Sequence, residues 1–309
     1  MVFVCVILVG ICGETAEGCA NPVFGQLVER GVLLSTGGRV RLPEPSMPDG
    51  LDRRSQEAVI RRVAARYSLK EFLRDSWTAP FVLKMHSIAD SRGKRTGQRI
   101  DLWFVAHGSL ETLTDEELSP EWQETAKPKR AKDLPNEARA LTDEELQAQG
   151  LSRRSTEDRH EEFAYFCQPL FERVLVCGVV YSVLCRSEDS LLFASRLDPR
   201  FADDEKLCCR WQPIDRDRYG RVVLGSPRRY QGYGMYVKVT PLVDDDGKPS
   251  GALFIECHVA FDEPHDWFDG ANLIRAKLPL AVREEVRDFR RQLKKLEAAR
   301  RRSPSGNGR

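Results

Sequence analysis

The sequence lacks most of the marks by which chemistry shows itself. It has almost no net charge: 48 Lys and Arg stand against 47 Asp and Glu, a balance of +1. With no overall field, composition gives nothing to favour nucleic acid or acidic substrates. No apolar run is long enough to span a bilayer as a helix. Nine cysteines are present, yet none stands in a C-x-x-C pair, which argues against zinc-ribbon and thioredoxin-type motifs. G-x-S-x-G is absent, as is any Cys–His family signature of nucleophilic catalysis. Gly10, Gly13 and Gly18 do not follow the G-x-G-x-x-G order. Gly13 and Gly18 have phosphate-loop spacing, but Cys19 and Ala20 stand where Lys and Ser/Thr are needed, so nothing would reach the β- and γ-phosphates. No cofactor and no nucleic-acid partner are expected.

What is present is an ordinary globular composition, 41% hydrophobic and 31% charged, which argues against both global disorder and a multi-span membrane protein. Residues 2–12 (VFVCVILVGIC) are an apolar segment of signal-peptide length, with small residues following at Gly18 and Ala20. No Lys or Arg precedes the segment, and the first basic residue is Arg30. Residues 1–20 are read as a signal peptide, and the protein as exported, periplasmic or extracellular. Cys19 follows Ala16-Glu17-Gly18, as in a lipoprotein cleavage box, although Glu17 fits that box poorly. The six cysteines beyond residue 160 permit disulfides, while Cys177 and Cys185, inside an apolar run, read as small buried hydrophobes. Basic clusters at 127–132, 216–229 and 300–302 read as solvated surface, with contact to phosphates or anionic lipid heads as the alternative.

Residues 21–50, with their prolines and glycines, read as a linker. Residues 51–302 read as a single α+β domain with a charged loop insertion at about 119–140, and 303–309 as a disordered tail. Val59, Ile60, Val63 and Tyr67 give a helical stripe from Ser55 to about Ser76, and Ser68 with Glu71 fits a capping box that would break it. Residues 81–88 and 99–107 alternate as a hairpin with one dry face. LTDEEL occurs twice, at 113–118 and 141–146, pairing Thr114 with Glu117 and Thr142 with Glu145 as two helix starts. Strands are expected over 173–186, 191–197, 207–214, 233–243 and 251–261. Asp244 to Gly247 turns the last two into a hairpin. Leu278, Val282, Val286, Phe289, Leu293 and Leu296 then mark a long amphipathic helix, with Pro279 near its start. The expected fold is an antiparallel sheet packed against this C-terminal helix, with further helices N-terminal and in the middle.

This element order is similar to the helix-grip arrangement of START and Bet v 1-like domains. The resemblance covers about residues 55–302 and lies in order, not in motif. It implies a curved sheet around the C-terminal helix and an apolar cavity between them. The expected function is therefore non-enzymatic binding of an apolar small molecule, a lipid or an envelope partner, with membrane association left open. A structural or interaction protein with a filled core is one alternative.

The other alternative is a hydrolase or isomerase. Tyr236, Lys238 and Thr240 share one strand face, and Glu256 and His258 share a face of the next strand. Apolar faces must coincide, so the polar faces coincide too. The register that pairs Lys238 with Glu256 pairs Tyr236 with His258. His258 would be the acid or base, oriented by Glu256 or Tyr236; the plainer reading is a cross-strand salt bridge on a wet face. His258, Asp262 and His265 are the residues that a metal would use, although their spacing matches no metal signature. Trp267 and Phe268 read either as an exposed gating loop or as aromatics packed under the helix.

Overall fold

The computed structural model describes residues 20–114, 134–156, 158–268 and 271–302. The expected signal peptide, most of the charged insertion, Glu117 and the tail 303–309 lie outside the described residues.

The helices are α1 (Pro22–Gly25, continued by a wider turn over Gln26–Arg30), α2 (Arg53–Val63), α3 (Leu69–Phe72), α4 (Leu110–Thr114), α5 (Asp143–Ala148) and α6 (Leu273–Arg302). The strands are β1 (Val32–Leu33), β2 (Arg39–Val40), β3 (Phe81–Ala89), β4 (Arg95–His107), β5 (Glu137–Ala140), β6 (Arg159–Leu170), β7 (Val174–Arg186), β8 (Leu191–Leu197), β9 (Arg210–Arg216), β10 (Val222–Leu224), β11 (Arg228–Arg229), β12 (Tyr233–Val243) and β13 (Pro249–Asp262). The fold is α+β, as the spacing predicts. β1 and β2 pair with each other, and the other eleven strands form one antiparallel sheet, in the order β10-β9-β7-β8-β12-β13-β4-β3 along its main path.

β7 is forked. β6 runs along one of its edges, while on the other β9 pairs with Val174–Cys177 and β8 with Val180–Arg186. Gly178 lies at the fork, where a Cβ would come within 2.8 Å of Cys209 Sγ.

One face of the sheet carries α6. The expected stripe from Leu278 to Leu296 is buried against Leu102, Phe104, Val237 and Ile255. Each such side chain contributes on the order of 1.5–3 kcal/mol on burial. Gly108 lets the helix sit this close, since a Cβ there would lie 2.7 Å from Leu293 Cγ. Arg290 shares the buried side of α6 and bonds four carbonyls, Val105 at 2.8 Å, Ala79 at 2.6 Å, Pro80 at 3.0 Å and Trp77 at 3.4 Å. Pro279 falls inside α6 rather than in its first turn.

The opposite face is covered too. α2 and α3 are separate helices, parted at Ser68, whose capping box with Glu71 is complete. They pack on Trp103 and Val105, so β4 is buried on both faces rather than one. The second LTDEEL copy starts α5 through the Thr142–Glu145 box. In the first copy Thr114 lies in α4 and donates its hydroxyl to Leu110 O at 3.2 Å, while its expected partner Glu117 lies outside the described residues.

Residues 21–50, read above as a linker, lie on the sheet as a strap. Val23, Leu27, Val32, Leu34, Leu42 and Met47 are all buried. Proline and glycine content misleads here because the strap is held by scattered apolar anchors and by its backbone, neither of which depends on helix or strand periodicity. Gly234 marks the docking point of α1, where a Cβ would lie 2.4 Å from Leu27 Cδ2.

Candidate functional site

Alternation along β12 and β13 places Met235, Val237 and Val239 opposite Val259, Cys257 and Ile255 on the α6 face. Asp244 Oδ1 accepts from the backbone of Asp246 and Lys248, and Gly247 takes φ +76°, which closes the hairpin. The polar register is the expected one: Lys238 opposes Glu256 and Tyr236 opposes His258.

Their surroundings differ from either expectation. The face is neither wet nor open as a cleft, because residues 43–49 of the strap lie over it. Tyr236, Glu256 and His258 are fully buried, and Lys238 is 6% exposed. Each bonds to the strap or to β4 rather than to its cross-strand neighbour. Tyr236 donates to Pro43 O at 2.8 Å. Lys238 Nζ donates to Met47 O at 2.8 Å and meets Asp49 Oδ1 at 2.8 Å, so no Lys238–Glu256 bridge forms. Glu256 accepts from the Ser46 and Met47 amides at 2.7 and 3.1 Å. Trp103 Nε1 donates to Ser46 Oγ at 3.1 Å.

His258 joins this network to β4. Its Nδ1 lies 2.8 Å from Asp101 Oδ1, while Nε2 is 3.7 Å from Glu256 Oε2, too far for a hydrogen bond but close enough for charge attraction. Burial alone would push the imidazole pKa down; the Asp101 hydrogen bond and the two carboxylate charges outweigh it and hold the pKa above the ordinary value. Asp101 is likewise penalised by burial, but His258, Arg99 and His86 together hold its carboxyl below the usual value. Chemically, the arrangement clamps a backbone and keeps a proton between two carboxylates. No substrate reaches it while the strap is in place.

The three residues considered for metal do not converge. Asp262 is fully buried and accepts from Ser35 N at 3.0 Å and Gly232 N at 2.7 Å, which ties the β1–β2 turn to the start of β12. His265 is half exposed beside Asp266. Among the described residues no group of three or more His, Cys, Asp or Glu side chains is placed to hold an ion. Trp267 and Phe268 are buried in the α6 core, Trp267 stacked on Tyr230, so they form no exposed loop. Cys167 and Cys177 face each other across β6 and β7 and form a disulfide, where the apolar setting of Cys177 suggested a free thiol.

Two spaces among the described residues bear on ligand binding. Between the sheet and α6, lined by Phe104, Leu184, Val237 and Phe289 among others, the cavity is about 20 Å³. That is room for one water molecule, not for an apolar ligand of the kind the helix-grip resemblance implies. The second lies at the fork of β7 and holds about 430 Å³. Its walls are the strap at Gln26–Leu33, the end of β8 at Arg196–Leu197, and Arg229–Tyr233. Asp262 fixes two of those walls through Ser35 and Gly232. Sequence reasoning missed this cleft, whose walls come from stretches far apart in the chain. One signal was available: Leu192, Ala194 and Arg196 share a strand face on which Arg196 is out of place.

No family profile matches the chain. No curated protein sequence resembles it at a significant level.

Proposed function

We propose that the protein is a non-enzymatic binding protein whose ligand sits in the fork cleft, not beneath the C-terminal helix. The observation that carries this reading is the contrast in volume: about 430 Å³ at the fork against about 20 Å³ in the core. A site of some hundreds of Å³ is the usual size for a small molecule. The hydrolase or isomerase reading draws no support from His258 and Glu256, which are sealed under the strap and already bonded. Export is supported by the apolar segment at residues 2–12 and by the Cys167–Cys177 disulfide, a bond that persists in oxidising compartments.

Native mass spectrometry of the protein as purified, and after incubation with phenyl phosphate and with benzyl alcohol, tests the site. The wild-type protein is expected to carry a small-molecule adduct that Ala202→Trp and Leu33→Trp, each filling the cleft from a different wall, both lose. An adduct retained in full by both folded variants would overturn the reading. So would a wild-type protein that stays bare under all three conditions.

A further inference from the structure

Four arginines line the cleft, Arg30, Arg39, Arg196 and Arg229. They come from the strap, from β2, from β8 and from β11, so the fold gathers them rather than a local basic run. Among the described residues, none of the four has a carboxylate within ion-pair distance. The one carboxylate in the lining, Asp198, is fully buried and already clasped by Arg200, whose Nε lies 2.9 and 3.0 Å from its two oxygens. The lining therefore holds four arginines against one carboxylate, an excess of positive charge.

Arg196 is the most constrained of the four. It is held in the sheet between Tyr181 of β7 and Gly234 of β12. One terminal nitrogen donates to Leu197 O at 3.3 Å, while its Nε is buried and has no hydrogen-bond partner. A buried charged donor without a partner is unfavourable by a few kcal/mol, so it is rarely kept without reason. Burial holds the pKa of this arginine below its ordinary value, and the charge of Asp198 offsets that only in part. The remaining walls are largely apolar or aromatic, with Leu27, Val32, Leu197, Tyr230 and Tyr233, beside the polar Gln26 and Gln231. Guanidinium groups recognise oxyanions through paired N–H donors, and apolar walls accept a hydrocarbon body.

We propose that the fork cleft binds a small organic oxyanion, a carboxylate or phosphate on an apolar body, with Arg196 as its inner anchor and Arg30, Arg39 and Arg229 at its rim. This rests on the reading of the cleft as the ligand site and adds its chemistry. The oxyanion could be offered as a free molecule or as a lipid headgroup, and the probes separate the two.

Calorimetric titration of the full chain with phenyl phosphate, inorganic phosphate and benzyl alcohol is the test, with sedimentation on phosphatidylcholine vesicles with and without phosphatidate beside it. Phenyl phosphate is expected to bind at least tenfold more tightly than benzyl alcohol, and to weaken as salt is raised. Loss of a charged hydrogen bond in Arg196→Met should weaken it by roughly tenfold or more. Arg229→Gln, at an exposed position that folding does not need, should weaken it by a smaller factor. Phosphatidate-dependent sedimentation that phenyl phosphate competes away would assign the oxyanion to a headgroup; phenyl phosphate binding without sedimentation would assign it to a free molecule. Equal affinity for phenyl phosphate and benzyl alcohol, or binding unchanged in both arginine variants, would overturn charge selectivity and leave the cleft standing. Binding of neither probe would remove the cleft itself.

Discussion

Glu256→Gln is the sharpest test of how the strap is held. The carboxylate is fully buried, and its two oxygens accept from the Ser46 and Met47 amides at 2.7 and 3.1 Å. Glutamine keeps the shape but offers one acceptor and one NH₂. One strap amide keeps its partner, and the other now faces a donor. Loss of one charge-assisted bond is worth about 1.5–3 kcal/mol, and the unsatisfied donor adds about 1–3 kcal/mol. His258 also loses a negative neighbour at 3.7 Å. The sum is about 2.5–6 kcal/mol, which brackets the roughly 3–5 kcal/mol expected when one partner of a buried charged pair is removed. Lys238 holds the same turn through Met47 O and Asp49, so the two anchors are not independent. Once either releases the strap the other has less to lose, and the double variant with Lys238→Met should cost well below the sum of the two single changes. Hydrogen exchange is the assay, read at the Ser46 and Met47 amides, with urea unfolding beside it. Protection at both amides should fall while that of β12 and β13 is kept. A stability change under about 1 kcal/mol, with both amides protected as in the wild type, would refute the clamp.

Other outcomes follow from the same structure. The raised pKa of His258 means its protonated form stabilises the fold below the unfolded value of about 6.5, and that contribution is lost as pH rises through the higher folded value. Urea midpoints should therefore decline with pH above about 6.5, and Asp101→Asn should flatten that decline; a midpoint that rises over the same range contradicts it. Gly234→Ala should displace Leu27 and Val32, loosening residues 22–34 and reducing probe binding in the cleft while α6 stays protected, at a cost of roughly 1–3 kcal/mol. Arg290→Ala should destabilise by several kcal/mol, since four carbonyls lose their donor and the stem of the arginine leaves Phe104, and unchanged thermal unfolding would refute its role as a staple joining α6 to β4 and to the segment ahead of β3. Reducing Cys167–Cys177 closes a short loop less tightly and should lower stability by about 2–3 kcal/mol, measurable by unfolding with and without reductant.

The features readable from sequence were those set by local periodicity. The 3.6-residue stripe from Leu278 to Leu296 located α6, and period-two alternation fixed the β12–β13 register down to Tyr236 opposite His258. What covers that register was not readable. The strap binds through the Pro43 and Met47 carbonyls and the Ser46 and Met47 amides, and backbone groups are the same whatever the side chains. A polar strand face therefore looks identical in sequence whether water or a strap lies over it. The cleft was hidden for a different reason. Arg30, Arg39, Arg196 and Arg229 are brought together only by the fork in β7, a pairing decision made over long separations. Asp262 looked like a metal ligand because His258 and His265 stand near it in sequence, yet its two oxygens are taken by Ser35 and Gly232.

The central claim concerns where a ligand sits. A crystal structure of the full chain soaked with phenyl phosphate tests it most directly. Density for the probe is expected at the fork, with its oxyanion against Arg196 and its ring toward Tyr230 and Leu197. Density between the sheet and α6, with Phe289 or Leu293 displaced to admit it, would contradict the account.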